Sequence, residues 1–447
     1  MNKICVMKTK FARDSRRTPG TSVLVALLLI ALISVPGVRA QVLPRSQPEE
    51  VGLSSERLKR LSSTLREYVV DNKLPGGVVL VARRGKVAYV KSFGQRDREA
   101  DSPMREDTIF RIASQTKALV SVGVMMLQEE GRLLLSDPIG KYLPEFRETT
   151  VAVPKDGGGY EVVKAKRPIT IRDLLTHTAG ISYGSGVARE RWEAAAITGW
   201  YFADRTEPIG NTIARLAQLP FDAQPGERWV YGYSTDILGA LIEHVSGQTL
   251  AGFIQSRILV PLAMNDTHFY LPESKKDRLA VVYSAKESGG LERAPDPGGM
   301  VGQGAYLKGP KKSYSGGAGL LSTAEDYTRF LMMLLKGGEL DGKRILSRKS
   351  VELMTTNHLQ GIKYQDGQGF GLGFSVVTDL GARGLPGSVG EFGWGGAYHS
   401  VYWVDPKEQL VVVYFTQLIP ARNLDDHSKL RALVYQAVID SMVRLQK

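Results

Sequence analysis

Ser114 and Lys117 stand three residues apart in Ile112-Ala113-Ser114-Gln115-Thr116-Lys117, the single Ser-x-x-Lys of the chain. A free serine hydroxyl is a poor nucleophile and needs a base beside it. The apolar spacing of Ala113–Glu130, ended by Gly131, predicts a helix that opens at this motif. Positions i and i+3 share one helix face, so the amine would lie beside the hydroxyl. The first helical turn also leaves backbone N–H groups free to face a reacting carbonyl.

A second element is Pro225-Gly226-Glu227-Arg228-Trp229-Val230-Tyr231-Gly232-Tyr233, a tight loop leading into a predicted helix over Tyr233–Val245. A tyrosine presented there, close to an amine, suits general base work. A third is Gly393-Trp394-Gly395-Gly396-Ala397, at the start of a late strand. Glycines let that backbone approach a ligand closely, and the Ala397 N–H is a candidate oxyanion donor beside that of Ser114.

Two competing patterns carry less. Gly180-Ile181-Ser182-Tyr183-Gly184 fits G-x-S-x-G, but that elbow needs a strand before its serine, and Arg172–Thr178 has helical character. Tyr183 is expected to line the cleft all the same. The six histidines, at 177, 244, 268, 358, 399 and 427, show neither H-x-H nor H-E-x-x-H spacing, so no metal or other cofactor is expected. His399, two residues past Ala397, would alternate to the same strand face and is a candidate substrate contact.

The elements that must position these groups come from both ends of the chain. Leu58, Leu61, Leu65 and Val69 recur at helical steps within Ser54–Val70. Residues 76–94 form two Val-rich runs around Arg83-Arg84-Gly85, a hairpin. Ala397–Val404 and Gln409–Thr416 flank Asp405-Pro406-Lys407-Glu408 as another, and Ser428–Leu445 predicts a closing amphipathic helix. A short helix at Ile171–Thr178 and one at Ala324–Lys336 complete the expected elements. These imply an antiparallel sheet from both chain ends, flanked by terminal helices. A mostly helical region, roughly 118–310, is inserted between them and bounds the cleft. Residues 41–50, polar and Pro-containing, are expected to be a linker into a domain over 51–445.

Composition narrows the classes. The 447 residues are 43% hydrophobic and 23% charged, which excludes disorder and fibrous repeats, and the lone Cys5 excludes a disulfide framework. The net charge of +12 is uneven: seven basic residues against Asp14 put +6 of it in the first 40 residues. The remainder shows no basic run with interleaved aromatics, which argues against nucleic acid as a partner. The basic start, the apolar run Val23–Ile33 and the small-residue end at Pro36–Ala40 form a predicted export signal, residues 1–40, cleaved after Ala40. Its apolar run is shorter than the roughly 20 residues that span a bilayer, so membrane attachment is expected only if the signal stays uncleaved. A periplasmic or secreted protein follows.

The order Ser-x-x-Lys, then Tyr after Pro-Gly, then a glycine-containing strand motif resembles the serine β-lactamases and penicillin-binding proteins. The chain is most similar to the esterase branch related to class C β-lactamases. Leu174–Gly180, Gly316–Tyr327 and Gly369–Phe374 support this, and the likeness covers roughly residues 50–440. The resemblance implies an α+β fold of the β-lactamase/transpeptidase type. It implies Ser114 as acylated nucleophile, Lys117 and Tyr231 as its proton relay, and the Ser114 and Ala397 N–H groups as oxyanion hole. Two departures stand out. Tyr233 occupies the place of the usual Asn of Tyr-x-Asn, and Trp394 that of the usual third-motif Lys. With Gly395 and Gly396 these residues would line an apolar, aromatic substrate site, favouring an ester of an uncharged acid. The alternatives are a β-lactam or a D-amino-acid peptide as substrate, or an inactive binding homologue.

Overall fold

A computed structural model describes residues 42–440. The predicted export signal and the last turns of the predicted C-terminal helix, with Met442 and Leu445, lie outside the described residues. Among the described residues no single helix is long and apolar enough to cross a membrane.

An eight-stranded antiparallel sheet is built from both chain ends. Its early strands are β1 (Gly76–Arg83), β2 (Lys86–Asp97) and β3 (Ser102–Pro103). Its late strands are β4 (Gln368–Phe370), β5 (Ser375–Val377), β6 (Phe392–Gly396), β7 (Ser400–Asp405) and β8 (Leu410–Thr416). The order is β4-β5-β6-β7-β8-β1-β2-β3, so the two ends of the chain meet where β8 pairs with β1, Gly77 opposite Thr416 and Arg83 opposite Leu410. Both strands are buried along their whole length, which is why their Val-rich runs lack polar alternation.

One face of the sheet packs on α1 (Ser55–Val70) and the C-terminal helix, through Leu58, Leu61, Leu65, Trp403, Leu430 and Val434. The other packs on α2 (Thr116–Glu129) and the inserted region. Helix α2 is buried on every side, as a helix that is apolar all round must be. It lies against α4 (Ser234–Ser246), where a Cβ on Gly123 would come within 3.0 Å of Ile242 Cδ1. The short α3 is Ile171–Leu175, and α5 (Ala324–Leu335) backs the sheet.

Three expectations need correction. The expected linker is no free segment over 42–50: Leu43 and Pro48 are buried, the Ser46 N–H bonds the Val87 carbonyl at 3.0 Å and the Val87 N–H bonds the Pro44 carbonyl at 2.8 Å, because its few apolar residues pack onto the fold. The inserted region is helical only in part. It also carries two small ribbons, Thr150–Pro154 with Tyr160–Lys164 and Tyr283–Ala285 with Leu291–Arg293, and the first turns through Gly157-Gly158-Gly159. The closing helix, α6, is Asp426–Tyr435 and stops well before Leu445. There Val438 bridges to Leu53 and the Ser54 N–H bonds the Ala437 carbonyl, a pairing that helical backbone would forbid.

Candidate active site

The backbone bends sharply before Ser114. Ala113 holds a left-handed φ of +42°, costly for a residue with a Cβ, and a 3-10 turn over Ala113–Gln115 then feeds α2. Neighbours hold the bend. The Ile112 N–H bonds the Leu320 carbonyl at 3.1 Å, the Tyr327 hydroxyl bonds the Gln115 carbonyl at 2.9 Å, and Gln115 Nε2 reaches Ser400 Oγ at 3.1 Å. Ser114 is left half-buried at the cleft.

Lys117 lies one turn further, 2% exposed, and its ammonium has three acceptors for three donors. Nζ is 3.3 Å from Ser114 Oγ, 3.0 Å from the Tyr183 hydroxyl and 2.8 Å from the Gly317 carbonyl. It also sits 4.6 Å from the centre of the Tyr231 ring. The Gly317 carbonyl is fixed in turn by Asp236, in the first turn of α4, whose Oδ1 accepts from Ser315 Oγ at 2.6 Å and the Gly317 N–H at 3.0 Å. Burial pushes the Asp236 carboxyl up, and the nearby Lys117 pulls it back.

Tyr231 is held by the Leu174–Gly180 stretch. The Val230 N–H bonds the His177 carbonyl and the Gly226 N–H the Thr178 carbonyl, both at 2.8 Å. Gly232 passes directly over the Ile181 carbonyl, with no room for a Cβ. The His177 ring, 4.9 Å from that of Tyr231, is fully buried, and burial holds it well below the ordinary imidazole range, so it packs as a neutral ring. Trp229 stacks on Tyr231, and Trp394 Nε1 donates to the Tyr231 hydroxyl at 3.2 Å.

On β6, Trp394 lies opposite Tyr402 and Gly396 opposite Ser400. A Cβ on Gly396 would stand 2.6 Å from the Ile112 carbonyl, so only glycine lets this strand press against the bend that carries Ser114. The turn after it closes with the His399 N–H on the Gly396 carbonyl at 3.1 Å. Among the described residues, neither the Ser114 nor the Ala397 N–H bonds a protein acceptor. Both residues line one cavity of about 540 Å³, with Tyr183, Trp200, Tyr231, Trp394, Gly395 and Gly396. A pocket of that size suits a small organic ligand, and its walls near Ser114 are mostly aromatic.

The chain belongs to the β-lactamase family. Its family profile matches residues 61–436. Esterase EstB of Burkholderia gladioli is 32% identical over 375 residues, covering 80% of this chain and 89% of the relative. Protein Rv1367c of Mycobacterium tuberculosis (strain ATCC 25618 / H37Rv) is 36% identical, covering 81% and 90%. Among solved structures, EstCE1, a hydrolase with promiscuous acyltransferase activity, superposes with a TM-score of 0.72 at 28% identity, covering 85% of this chain and 98% of its own. The fold is the α+β β-lactamase/transpeptidase type, and family and relatives together make this a serine hydrolase of esterase-like kind.

Within that family frame the structure gathers Ser114, Lys117, Tyr231, Trp394, Gly395, Gly396 and Ala397 at one cleft and leaves out Tyr233. The Tyr233 ring is fully buried beneath Tyr183, stacked on Trp192, with its hydroxyl on the Gly199 carbonyl at 2.5 Å. As the residue that caps α4, it points into the core rather than the cleft. Ser182 is buried too, and its Oγ accepts the N–H groups of Gly184 and Ser185, a loop-closing role. Sequence reasoning missed Asp236 and the hydrogen bond from Lys117 to Tyr183. The visible signal for Asp236 was one carboxylate in the otherwise uncharged helix start Ser234-Thr235-Asp236-Ile237-Leu238. Histidine spacing also missed a third grouping: His399, Asp426 and His427, separated by 27 and 28 positions, converge in the fold, and the two histidines line the same cavity.

Proposed function

We propose that the protein is a carboxylesterase working through an acyl-enzyme on Ser114. The observation that carries this is the Lys117 amine at hydrogen-bond range of Ser114 Oγ, in a cleft where an indole, Trp394, holds the Tyr231 hydroxyl. Ser114 Oγ attacks the ester carbonyl, and its proton passes through the Lys117–Tyr231 pair to the departing alkoxide as the acyl C–O bond breaks. The Ser114 and Ala397 N–H groups face the oxygen that gains charge. Water then attacks the acyl-serine by the same route, releasing the acid and restoring the hydroxyl.

With a neutral indole in the third motif, an uncharged acyl or alcohol group fits the aromatic walls better than a β-lactam carboxylate. The test is a fluorophosphonate probe followed by peptide mapping. Labelling confined to Ser114 is expected. A folded chain that takes no label would make it a binding homologue, and label on Ser182 would overturn the assignment.

We further propose that residues 1–40 direct export and are cut after Ala40. Amino-terminal sequencing of the periplasmic or secreted product should begin at Gln41.

A further inference from the structure

Beyond the ester machinery, the same cavity is lined by His399 and His427. His399 holds a left-handed φ of +61°, a conformation uncommon outside glycine, though histidine adopts it more often than most residues. Its carbonyl accepts Thr416 Oγ1 at 2.8 Å, and its Nε2 lies 2.8 Å from Asp426 Oδ1. Tyr414 donates to the other oxygen of Asp426 at 2.9 Å. The His427 ring stacks on His399 with centres 4.1 Å apart, and its Nε2 is only loosely engaged, 3.4 Å from the His399 carbonyl.

Asp426 is 1% exposed, yet among the described residues no lysine or arginine pairs with it. A carboxylate buried this deeply ordinarily has a fixed cation or a metal as partner. One ligand atom from each of His399, Asp426 and His427 lies within 4.8 Å of the others. Two imidazole nitrogens and a carboxylate oxygen are a donor set for zinc and the late first-row divalent ions. Tyr414 is the kind of outer partner that orients a ligating carboxylate.

We propose that His399, Asp426 and His427 bind one divalent transition-metal ion of the zinc class at the wall of the ester cleft. The ion takes the place of the proton shared by His399 Nε2 and Asp426 Oδ1, and that proton leaves to solvent. The two rings are stacked, so His427 must tilt toward the ion, which its loose hold at Nε2 allows. The remaining coordination positions face the cavity. His399 closes the turn that carries Ala397, so occupancy is felt at the reacting centre, and bound zinc slows ester turnover.

The test uses the full chain freed of metal, titrated with zinc by calorimetry and with cobalt by visible absorption. One ion per chain is expected, with binding weakened at least tenfold in His427→Ala and unchanged in Ser114→Ala. A second readout needs no variant: zinc should protect His399 and His427, but not the exposed His244, from diethyl pyrocarbonate as mapped by mass spectrometry. Wild-type affinity in His427→Ala, or unchanged modification of His399 and His427, would overturn the proposal whatever the fate of the esterase reading.

Discussion

The indole N–H of Trp394 donates to the phenol oxygen of Tyr231 across 3.2 Å, from a strand to a loop 163 residues away. It occupies one lone pair of that oxygen and leaves the tyrosine O–H free to point into the cleft. Trp394→Phe keeps the aromatic wall and removes this bond. Since one neutral hydrogen bond contributes about 1 kcal/mol, kcat for a p-nitrophenyl ester should fall roughly five- to tenfold, with KM nearly unchanged. A rise in KM alone would make Trp394 a substrate wall and nothing more.

Tyr183 is one of three acceptors around Lys117 Nζ. Burial, with Tyr231 and Asp236 nearby, pushes its phenol well above the ordinary range, so it stays protonated and orients the amine. Tyr183→Phe should lower kcat about tenfold while single-turnover acylation still runs to completion. Full loss of acylation would give Tyr183 a larger part than orientation.

Gly232 has no room for a side chain above the Ile181 carbonyl. Gly232→Ala should therefore displace Tyr231, lower the melting temperature by several degrees at a cost of about 2 kcal/mol, and reduce kcat more than stability. An active variant of unchanged melting temperature would contradict the packing described.

Two neighbouring groups should tilt stability with pH in opposite directions. Burial, then Lys275, pulls His268 from 6.5 down to about 4, so the unfolded chain binds its proton more readily and stability is lost as pH falls from 6.5 toward 4. Burial pushes Asp326 from 3.8 up to about 7, so its contribution is full below 3.8 and is lost as pH rises toward 7. Melting temperature against pH should change slope one way in His268→Gln and the other way in Asp326→Asn. Like changes in both would refute the assignment.

How much of this was legible from sequence depends on the range of the interaction. The sheet from both chain ends was visible because Val78–Val81 and Val411–Phe415 are continuous apolar runs, and buried strands need nothing else. The Ser114–Lys117 proximity was visible because it is local, i to i+3 on one helix. Tyr233 was misjudged because nothing in the order of the chain tells which of two loop tyrosines faces the cleft; packing against Trp192 decides that. Asp236 and Tyr183 act across long sequence separations through Gly317 and Lys117, so no spacing rule could pair them. The His399, Asp426 and His427 grouping escaped for the same reason: a strand turn and a helix start meet only in the folded chain.

The central claim is tested most directly by assaying the purified chain and Ser114→Ala side by side on p-nitrophenyl butyrate and a chromogenic cephalosporin. Ester turnover should fall by several orders of magnitude in the variant, with little cephalosporin cleavage by either. Cephalosporin turnover rivalling the ester would contradict the weight placed on Trp394, and ester turnover surviving in Ser114→Ala would contradict the account itself.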